Sequence, residues 1–525
     1  MLHTESRENG KKGNGAIVTI AVVLFLLSTA CAQGFRFETE EERVARERLQ
    51  LLSDNAQDAQ QRLGQFLCQG HDSLSADTLV RNYYNGGGEW LWVTGDTTRL
   101  LHNADTLARF LAGKAQSVAF APEVFFTDDI LHDIDLFRTL RFDSAGVSVT
   151  DAMARLELSL SRAFMRYAVG QRFGFIDPFE TFNRLEKRGA GYRQVYDVDI
   201  EQPDSQFVMD AFAHVQSPIE YIDSLEPTDT IYQRLKERLL TDTTDAGRTL
   251  AICNMERRRW RSKMRPKDGE RHVFVNIPSQ QLWAIAPDSV FSMKICCGAW
   301  STKTPLLTSG IKLIQLNPEW RIPFTIVRDD VSRHAGDSAY FARNGYYIVR
   351  SSTGSTVSPK SVSADQLRGG GYRVTQRSGR GNSLGRIIFR FPNKFDVYLH
   401  DTNNRKAFNA ERRTVSHGCV RVQKPFDLAM FMLPDADEWT LDRMRMSIDM
   451  QPQSDKGKEY LKQLREEGKE GPVRLISSKD VVPVVCVELD YYTLYPNPET
   501  GKWEKWPDRY EYDKQIMKRM KAFLK

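Results

Sequence analysis

The 525-residue sequence is poor in cysteine, contains no low-complexity segment, and has little excess of either charge. Seven cysteines are too few, and odd in number, for a disulfide framework to hold the chain together. A net charge of +5 is too small to indicate a nucleic-acid partner. Because 41% of the residues are hydrophobic, disordered and fibrous classes are excluded, and the length predicts three or four folded units.

Long hydrophobic runs are also absent, and the one run near the start is short. Basic residues precede an apolar run at 16–27, and small residues lead from it to Cys31 and Ala32. This layout is typical of a secretory signal, because a membrane-spanning helix needs roughly 20 apolar residues. We therefore expect residues 1–32 to be an export signal. Cleavage, lipidation of Cys31 as in a lipoprotein, and an uncleaved anchor are the alternatives, and the last two would tether the protein to a membrane.

Two hydrophobic patterns divide the rest of the chain. Over 33–250, apolar residues recur at helical intervals, as at 151–167, which predicts a mostly helical domain. From Arg271 onward, short β-type runs such as 387–391 predict a β-rich domain over 251–440. The predicted fold class is therefore multidomain α+β.

The β-rich region is interrupted by a stretch rich in Ser, Gly and Arg. It spans 328–378 and separates runs that otherwise belong together, so we predict an inserted capping subdomain, or lid. Residues 441–525 mix charged helix with one strong strand at 481–489 and are expected to form a C-terminal extension.

The most basic stretch of the sequence is 257–261, where one tryptophan lies among four arginines. In an exported protein we interpret it as a solvated segment between domains rather than a nucleic-acid site. Cys296 and Cys297 lie in an apolar strand without a C-x-x-C spacing, so we expect them in the core.

The densest group of reactive side chains comprises His400, Ser416, His417, Gly418, Cys419 and Arg421. A catalytic cysteine needs a base or a cation, since a thiol with a pKa of about 8.5 is mostly protonated at neutral pH. His400, at the end of a predicted strand, is the candidate base. Gly418 leaves the backbone beside the sulfur open, so that main-chain N–H groups can face a developing oxyanion, and Arg421 adds positive charge.

Two other interpretations of this cluster are a buried structural cysteine beside surface histidines and a metal held by two histidines and one cysteine. A structural zinc site has four ligands and usually a paired-cysteine spacing, which this sequence lacks. We therefore predict neither a metal nor a cofactor.

The spacing of His400, fifteen residues, then Ser416-His417-Gly418-Cys419-Val420-Arg421 resembles the catalytic signature of the L,D-transpeptidases, the YkuD-type family of cell-wall enzymes. Further stretches are similar to the large, periplasmic YcbB-like branch; they lie at 276–278, 317–323, 382–386 and 398–402. The first half, including Trp90 and 174–178, is similar to the helical scaffold domain of that branch. The peptidoglycan-binding module of the branch is missing, since only ten residues separate Leu240 from Ala251.

The resemblance implies that Cys419 is the nucleophile and His400 its base, with Ser416, His417, Gly418 and Arg421 shaping the site. It implies attack on the third, diamino acid residue of a tetrapeptide stem, release of the terminal D-alanine, and a thioester. The side-chain amine of a second stem would then form a 3-3 cross-link. The implied partners are donor and acceptor peptidoglycan stem peptides, with carbapenems as covalent inhibitors and no nucleic acid.

The same resemblance leaves other functions open. Water as the acceptor would make the protein an L,D-carboxypeptidase, and a protein amine would make it an anchoring enzyme. A catalytically silent wall-binding scaffold is a third alternative. In each case we expect an exported, periplasmic protein of cell-wall biogenesis and cell shape.

Overall fold

The computed structural model describes residues 38–524, apart from 70–73, 94–96, 119, 268 and 470. The expected export signal at 1–32, with Cys31, lies outside the described residues. Among the helices of the described ranges, none combines the length and the hydropathy needed to span a membrane.

The N-terminal part of the chain is helical. Its helices are α1 (Glu40–Gln69), α2 (Ser75–Asn85), α3 (Thr97–Val118), α4 (Thr127–Thr139), α5 (Phe142–Ala145), α6 (Val149–Phe173), α7 (Pro178–Asn183), α8 (Ser205–Ala213), α9 (Pro218–Ser224), α10 (Thr230–Thr241) and α11 (Asp245–Arg259). Helix α6 has buried side chains on every face, which is expected of a helix at the centre of a bundle, and α1, α2 and α4 pack around it. The prediction of a mostly helical N-terminal region is confirmed.

The strands begin near the end of this helical region. They are β1 (Lys187–Arg188), β2 (Gly191–Tyr192), β3 (Tyr196–Asp197), β4 (His272–Asn276), β5 (Gln281–Ile285), β6 (Val290–Gly298), β7 (Leu306–Leu316), β8 (Trp320–Arg321), β9 (Tyr346–Arg350), β10 (Thr356–Val357), β11 (Tyr372–Gln376), β12 (Ile387–Arg390), β13 (Leu399–His400), β14 (Thr414–Ser416), β15 (Val420–Val422), β16 (Ser478–Asp490), β17 (Leu494–Pro496) and β18 (Trp503–Lys505).

The main sheet closes on itself. Its strand order is β12-β13-β15-β6-β5-β4-β16-β7-β3, and β12 also pairs with β7, which joins the two sides of the sheet into a barrel. Buried side chains of its strands, such as Val273 and Leu399, share one core with the helical region. The predicted β-rich domain is confirmed, and its two strands β13 and β15 are direct neighbours.

Residues 441–525, expected as a C-terminal extension, complete this barrel. Strand β16 lies between β4 and β7, parallel to the first and antiparallel to the second. The helices of the second half are α12 (Phe324–Asp329), α13 (Ser338–Arg343), α14 (Ala364–Arg368), α15 (Pro425–Met432), α16 (Glu438–Ser447), α17 (Asp455–Glu466) and α18 (Tyr512–Met520). A boundary at 440 therefore corresponds to no structural division. The sequence suggested one because the strand pattern of β16 does not reveal its distant partners.

The lid is a folded unit with its own small core. Strands β8 to β11 form a four-stranded sheet in the order β10-β9-β11-β8, flanked by α12, α13 and α14. Its buried core residues are Ile322, Val327, Val331, Phe341, Ile348, Val362, Leu367 and Val374. The unit begins at Trp320, earlier than the expected start at 328, because β8 pairs with β11 near the other end of the insertion.

The basic stretch at 257–261 is not a solvated segment, so that expectation is wrong. Arg257, Arg258 and Arg259 end α11 and are each at most 5% exposed. Their guanidinium groups pair with Asp513 at 2.6 Å, with Asp229 at 2.8 Å and with Glu256 at 2.9 Å, respectively. Two of these acids lie far away in the chain, which is why charge patterning alone indicated a solvent-exposed run.

Candidate active site

Two neighbouring parallel strands bring Cys419 and His400 to the same side of the barrel. In the β13–β15 pair, Leu399 lies opposite Val420 and His400 opposite Arg421, and the Val420 N–H donates to the Tyr398 carbonyl at 3.1 Å. Successive side chains of a strand alternate between its faces. The side chains of Tyr398, His400, Cys419 and Arg421 therefore point to one face, and all four line one cleft.

That cleft has a volume of about 1000 Å³ and walls from three parts of the chain. The barrel contributes the face just described, and the lid contributes residues at 320–330, with Glu319 directly before it. Arg188, which ends β1, and Arg193, which follows β2, contribute from the end of the helical region. His417, which is exposed, reaches toward the lid, with its Nε2 atom 4.0 Å from an Asp330 carboxylate oxygen.

The residues before the sulfur form a tight loop, which we call the cysteine loop (residues 416–419). The Ser416 hydroxyl donates to the Cys419 carbonyl at 2.6 Å and accepts the Gly418 N–H at 3.2 Å. Gly418 has a φ of +123°, which is a backbone conformation that other residues adopt only with strain. The loop therefore depends on serine and glycine for different reasons, one for its hydrogen bonds and one for its backbone.

A second segment, which we call the supporting segment (residues 298–304), lies beneath the cysteine loop. The Ser416 carbonyl accepts from the Ala299 N–H at 2.9 Å and from the Thr302 hydroxyl at 2.8 Å. The Thr304 hydroxyl donates to the Gly418 carbonyl at 2.8 Å. Sequence reasoning missed both threonines, because no local pattern links them to a loop more than a hundred residues later.

The Cys419 thiol is protonated at rest. Burial raises the pKa of this thiol to about 11, and this outweighs the lowering by hydrogen bonds from Tyr398 and by the charge of Arg421. The sulfur lies 3.9 Å from the Asp396 carbonyl oxygen, which is the acceptor for the thiol proton. A thiol in this state reacts as a nucleophile only when a base removes its proton.

The His400 imidazole is neutral at rest. Burial, and to a smaller extent the charge of Arg421, together lower the pKa of His400 to about 4, against opposing contacts with the backbone of Asp401 and Leu384. Its Nδ1 atom is buried and accepts no hydrogen bond from any residue that the structure describes. The His400 ring stands edge-on to the Tyr398 ring, with centroids 5.7 Å apart. Tyr398 thus packs against His400 and also interacts with the Cys419 thiol. A neutral imidazole with an unoccupied nitrogen is a suitable base.

The turn after His400 is fixed by Asp401. Its buried carboxylate accepts hydrogen bonds from the Arg386 backbone N–H at 2.9 Å and from the Arg405 guanidinium group at 3.2 Å. Burial nevertheless raises the pKa of this carboxyl group. Gly385 has a φ of +66°, and a Cβ atom there would lie 2.4 Å from the Asp401 side chain. Glycine at this position therefore allows the close approach that holds the end of β13.

The structure thus brings together the residues singled out in the sequence. His400, Ser416, His417, Cys419 and Arg421 line the cleft, and Gly418 lies in the loop between them. Cys296 and Cys297 are buried in β6, as expected. Within the described ranges, no group of three or more His, Cys, Asp and Glu side chains is arranged to hold a metal ion.

Fold and site together define a multidomain α+β protein in which a β-barrel domain presents a cysteine and a histidine in a lidded cleft. Residues 270–472 match the YkuD family, described as the L,D-transpeptidase catalytic domain. Residues 77–239 match the family described as the Scaffold domain. The chain therefore carries a YkuD L,D-transpeptidase catalytic domain and, before it, a Scaffold domain.

One curated relative extends this comparison. It is a protein of Haemophilus influenzae whose name assigns it provisionally to the L,D-transpeptidases. The two sequences are 28% identical over 248 residues, which make up 46% of this chain and 50% of the relative. The chain therefore spans about half the length of the curated relative that it matches.

Proposed function

We propose that the protein is a cysteine acyltransferase of peptidoglycan that forms 3-3 cross-links between stem peptides. The observation that carries this proposal is the placement of Cys419 and His400 on one face of two neighbouring parallel strands, inside the cleft. The match to the L,D-transpeptidase catalytic domain supports peptidoglycan stem peptides as the substrate class, and the proposal takes tetrapeptide stems as donors and acceptors. An exported, periplasmic location belongs to the same proposal, with a membrane tether if the N-terminus is retained or lipidated at Cys31.

In the first half of the reaction, His400 acts as the general base. Its free Nδ1 atom takes the thiol proton while the Cys419 sulfur attacks the carbonyl of the third stem residue. The bond from that carbonyl carbon to the nitrogen of the terminal D-alanine then breaks. The departing nitrogen takes the proton from His400, and the acyl group remains on sulfur as a thioester.

In the second half, the side-chain amine of another stem attacks the thioester. His400 takes a proton from this amine, a new amide bond forms, and the sulfur leaves and recovers its proton from His400. In the resting structure the Gly418 N–H is already bound by Ser416, whereas the Cys419 N–H makes no hydrogen bond within the described residues. We therefore assign the Cys419 N–H, with Arg421 nearby, to the stabilisation of the oxyanion.

The function is tested with purified protein and disaccharide-tetrapeptide substrates, with the products identified by mass spectrometry. We expect a 3-3 linked dimer and free D-alanine from the wild type and neither from Cys419→Ala. Cys68→Ala, which removes an exposed thiol, is the matched control and should retain activity. A carbapenem should add its mass to Cys419 alone.

Three results would contradict the proposal. A Cys419→Ala variant that forms dimers at the wild-type rate would exclude this residue as the nucleophile. Tripeptide and D-alanine without any dimer would indicate that water is the acceptor, and the protein would then be a carboxypeptidase. A folded wild type that forms neither thioester nor product would favour a wall-binding scaffold.

A further inference from the structure

Thr304 lies directly beneath the cysteine loop, and its hydroxyl group is both a hydrogen-bond donor and a hydrogen-bond acceptor. The side chain is fully buried, its oxygen accepts the Gly298 N–H at 2.8 Å, and it donates to the Gly418 carbonyl at 2.8 Å. Its backbone N–H donates to the Tyr510 hydroxyl at 3.2 Å, which in turn donates to the Gly298 carbonyl at 2.6 Å. Thr304 is thus held on two sides and holds Gly418 on the third.

This contact determines where one particular N–H group points. The Gly418 carbonyl and the Cys419 N–H belong to the same peptide unit, which is planar and trans, so the two groups point in opposite directions. A hydrogen bond that fixes the carbonyl toward Thr304 therefore turns the Cys419 N–H away from Thr304. That N–H is the group that makes no hydrogen bond within the described residues.

The restraint matters because the residue before Cys419 is a glycine. Glycine has more freedom of rotation than any other residue, and Gly418 adopts a φ of +123°. A Cβ atom added to it would meet nothing closer than 3.7 Å, so no close contact at this position holds the backbone of Gly418. The hydroxyl of Thr304 supplies a restraint that the backbone of Gly418 lacks.

We propose that Thr304 is a positioning residue, which aims the Cys419 N–H at the carbonyl oxygen that becomes negatively charged when sulfur attacks. The inference rests on the proposed role of Cys419 as the nucleophile. Thr304 touches neither the substrate nor the sulfur and acts through the Gly418 carbonyl. Preorganised donors of this kind stabilise the transition state without having to reorient during the reaction.

The test compares Thr304→Val, which keeps the shape and loses the hydroxyl, with Thr304→Ser, which keeps the hydroxyl. Two reactions of Cys419 are measured in each variant of the full chain. Acylation by a β-lactam creates an oxyanion, whereas alkylation by iodoacetamide displaces iodide from a saturated carbon and creates none. Thermal unfolding is followed in parallel, so that both rates are compared at a temperature at which each variant is folded.

We expect Thr304→Val to slow acylation by about 100-fold, which is the lower end of the loss when one oxyanion donor is removed. Alkylation should change by less than about twofold, because it needs the thiolate and no oxyanion donor. Thr304→Ser should restore acylation to near the wild-type rate. With the peptide substrate, kcat should fall while KM stays unchanged, since the interaction is realised only in the transition state.

Equal slowing of acylation and alkylation would overturn the inference, because it would indicate a general loss of structure around the sulfur. Unchanged acylation in Thr304→Val would overturn it as well. Should this variant fail to fold, Tyr510→Phe loosens Thr304 without removing its side chain, and a selective loss of acylation is again the expected result. Absence of acylation at Cys419 in the wild type would instead contradict the proposed function.

Discussion

Lys303 of the barrel domain forms an ion pair with Glu186, which precedes the short hairpin β1–β2 at the end of the helical region. The Lys303 side chain is only 4% exposed, and Glu186 also pairs with Arg193 at 3.4 Å. Arg193 in turn donates to the Ser301 carbonyl. The helical region therefore braces the supporting segment, and with it the cysteine loop, through charges that lie at the edge of the cleft.

Neutralising Glu186 should weaken the fold. Glu186→Gln leaves the buried Lys303 ammonium without its counter-charge, and we expect a loss of roughly 2 kcal/mol in the free energy of unfolding, given that Glu186 is partly exposed. Urea denaturation measures this loss. Glu180→Gln, which removes a more exposed ion pair with Arg184, is the matched control and should cost less than about 0.5 kcal/mol. Equal losses in the two variants would show that the charge of Glu186 does not stabilise the buried Lys303 ammonium more than a surface ion pair does.

The resting protonation of the site predicts a distinctive pH dependence. With the pKa of His400 near 4 and that of Cys419 near 11, both groups are neutral between these values. The rate of alkylation of Cys419 by iodoacetamide should therefore rise about tenfold per pH unit from pH 6 to pH 9, as the thiolate fraction grows. Acylation by a β-lactam should stay level over this range and fall only as His400 becomes protonated near pH 4. An alkylation rate that is level above pH 6 would instead indicate a thiolate–imidazolium pair.

A methyl group at position 418 tests the backbone of the cysteine loop. Gly418→Ala meets no close neighbour, so its cost comes from the φ of +123°, and we expect about 1–3 kcal/mol of destabilisation together with slower acylation. Gly381→Ala, in open space and without a positive φ, is the control and should leave stability and acylation nearly unchanged. Thermal unfolding and the rate of β-lactam acylation measure the two effects. Equal stability and equal acylation rates in the two alanine variants would show that the positive φ of Gly418 imposes no measurable strain on another residue.

The buried ion pair between Arg257 and Asp513 predicts non-additive effects on stability. Asp513→Asn leaves an uncompensated guanidinium that is 2% exposed, and we expect a loss of about 3 kcal/mol. Adding Arg257→Met should recover part of this loss, because no charge then remains buried without a partner. A double-mutant cycle by urea denaturation measures the coupling. Additive losses would mean that the pair acts as two independent residues.

The sequence indicated correctly which side chains meet in the cleft. His400 ends β13 and Cys419 directly precedes β15, and a compact motif with a fixed spacing is visible without knowledge of the fold. The lid was visible for a similar reason, since its composition contrasts with that of the strands on either side. These features are local in the chain, and local patterns can be read from a sequence.

Contacts between distant parts of the chain could not be predicted in this way. Thr304 and Gly418 are 114 positions apart, and a threonine before a proline carries no sign of such a partner. Arg257 was interpreted as solvated because its acid, Asp513, belongs to a segment taken for an extension. In both cases the missing information is the pairing of strands and helices, which periodicity and composition do not contain.

Strand β16 also determines when the barrel can form. Strands β4 and β7 end by residue 316, and the strand that joins them begins only at residue 478. Until then a growing chain exposes two unpaired strand edges, which are templates for association with other chains. Pairing over such a distance is also slow, because the intervening chain must be ordered first. The catalytic domain is therefore most prone to aggregate during its own synthesis, and a chain that stops at residue 472 would keep both edges open.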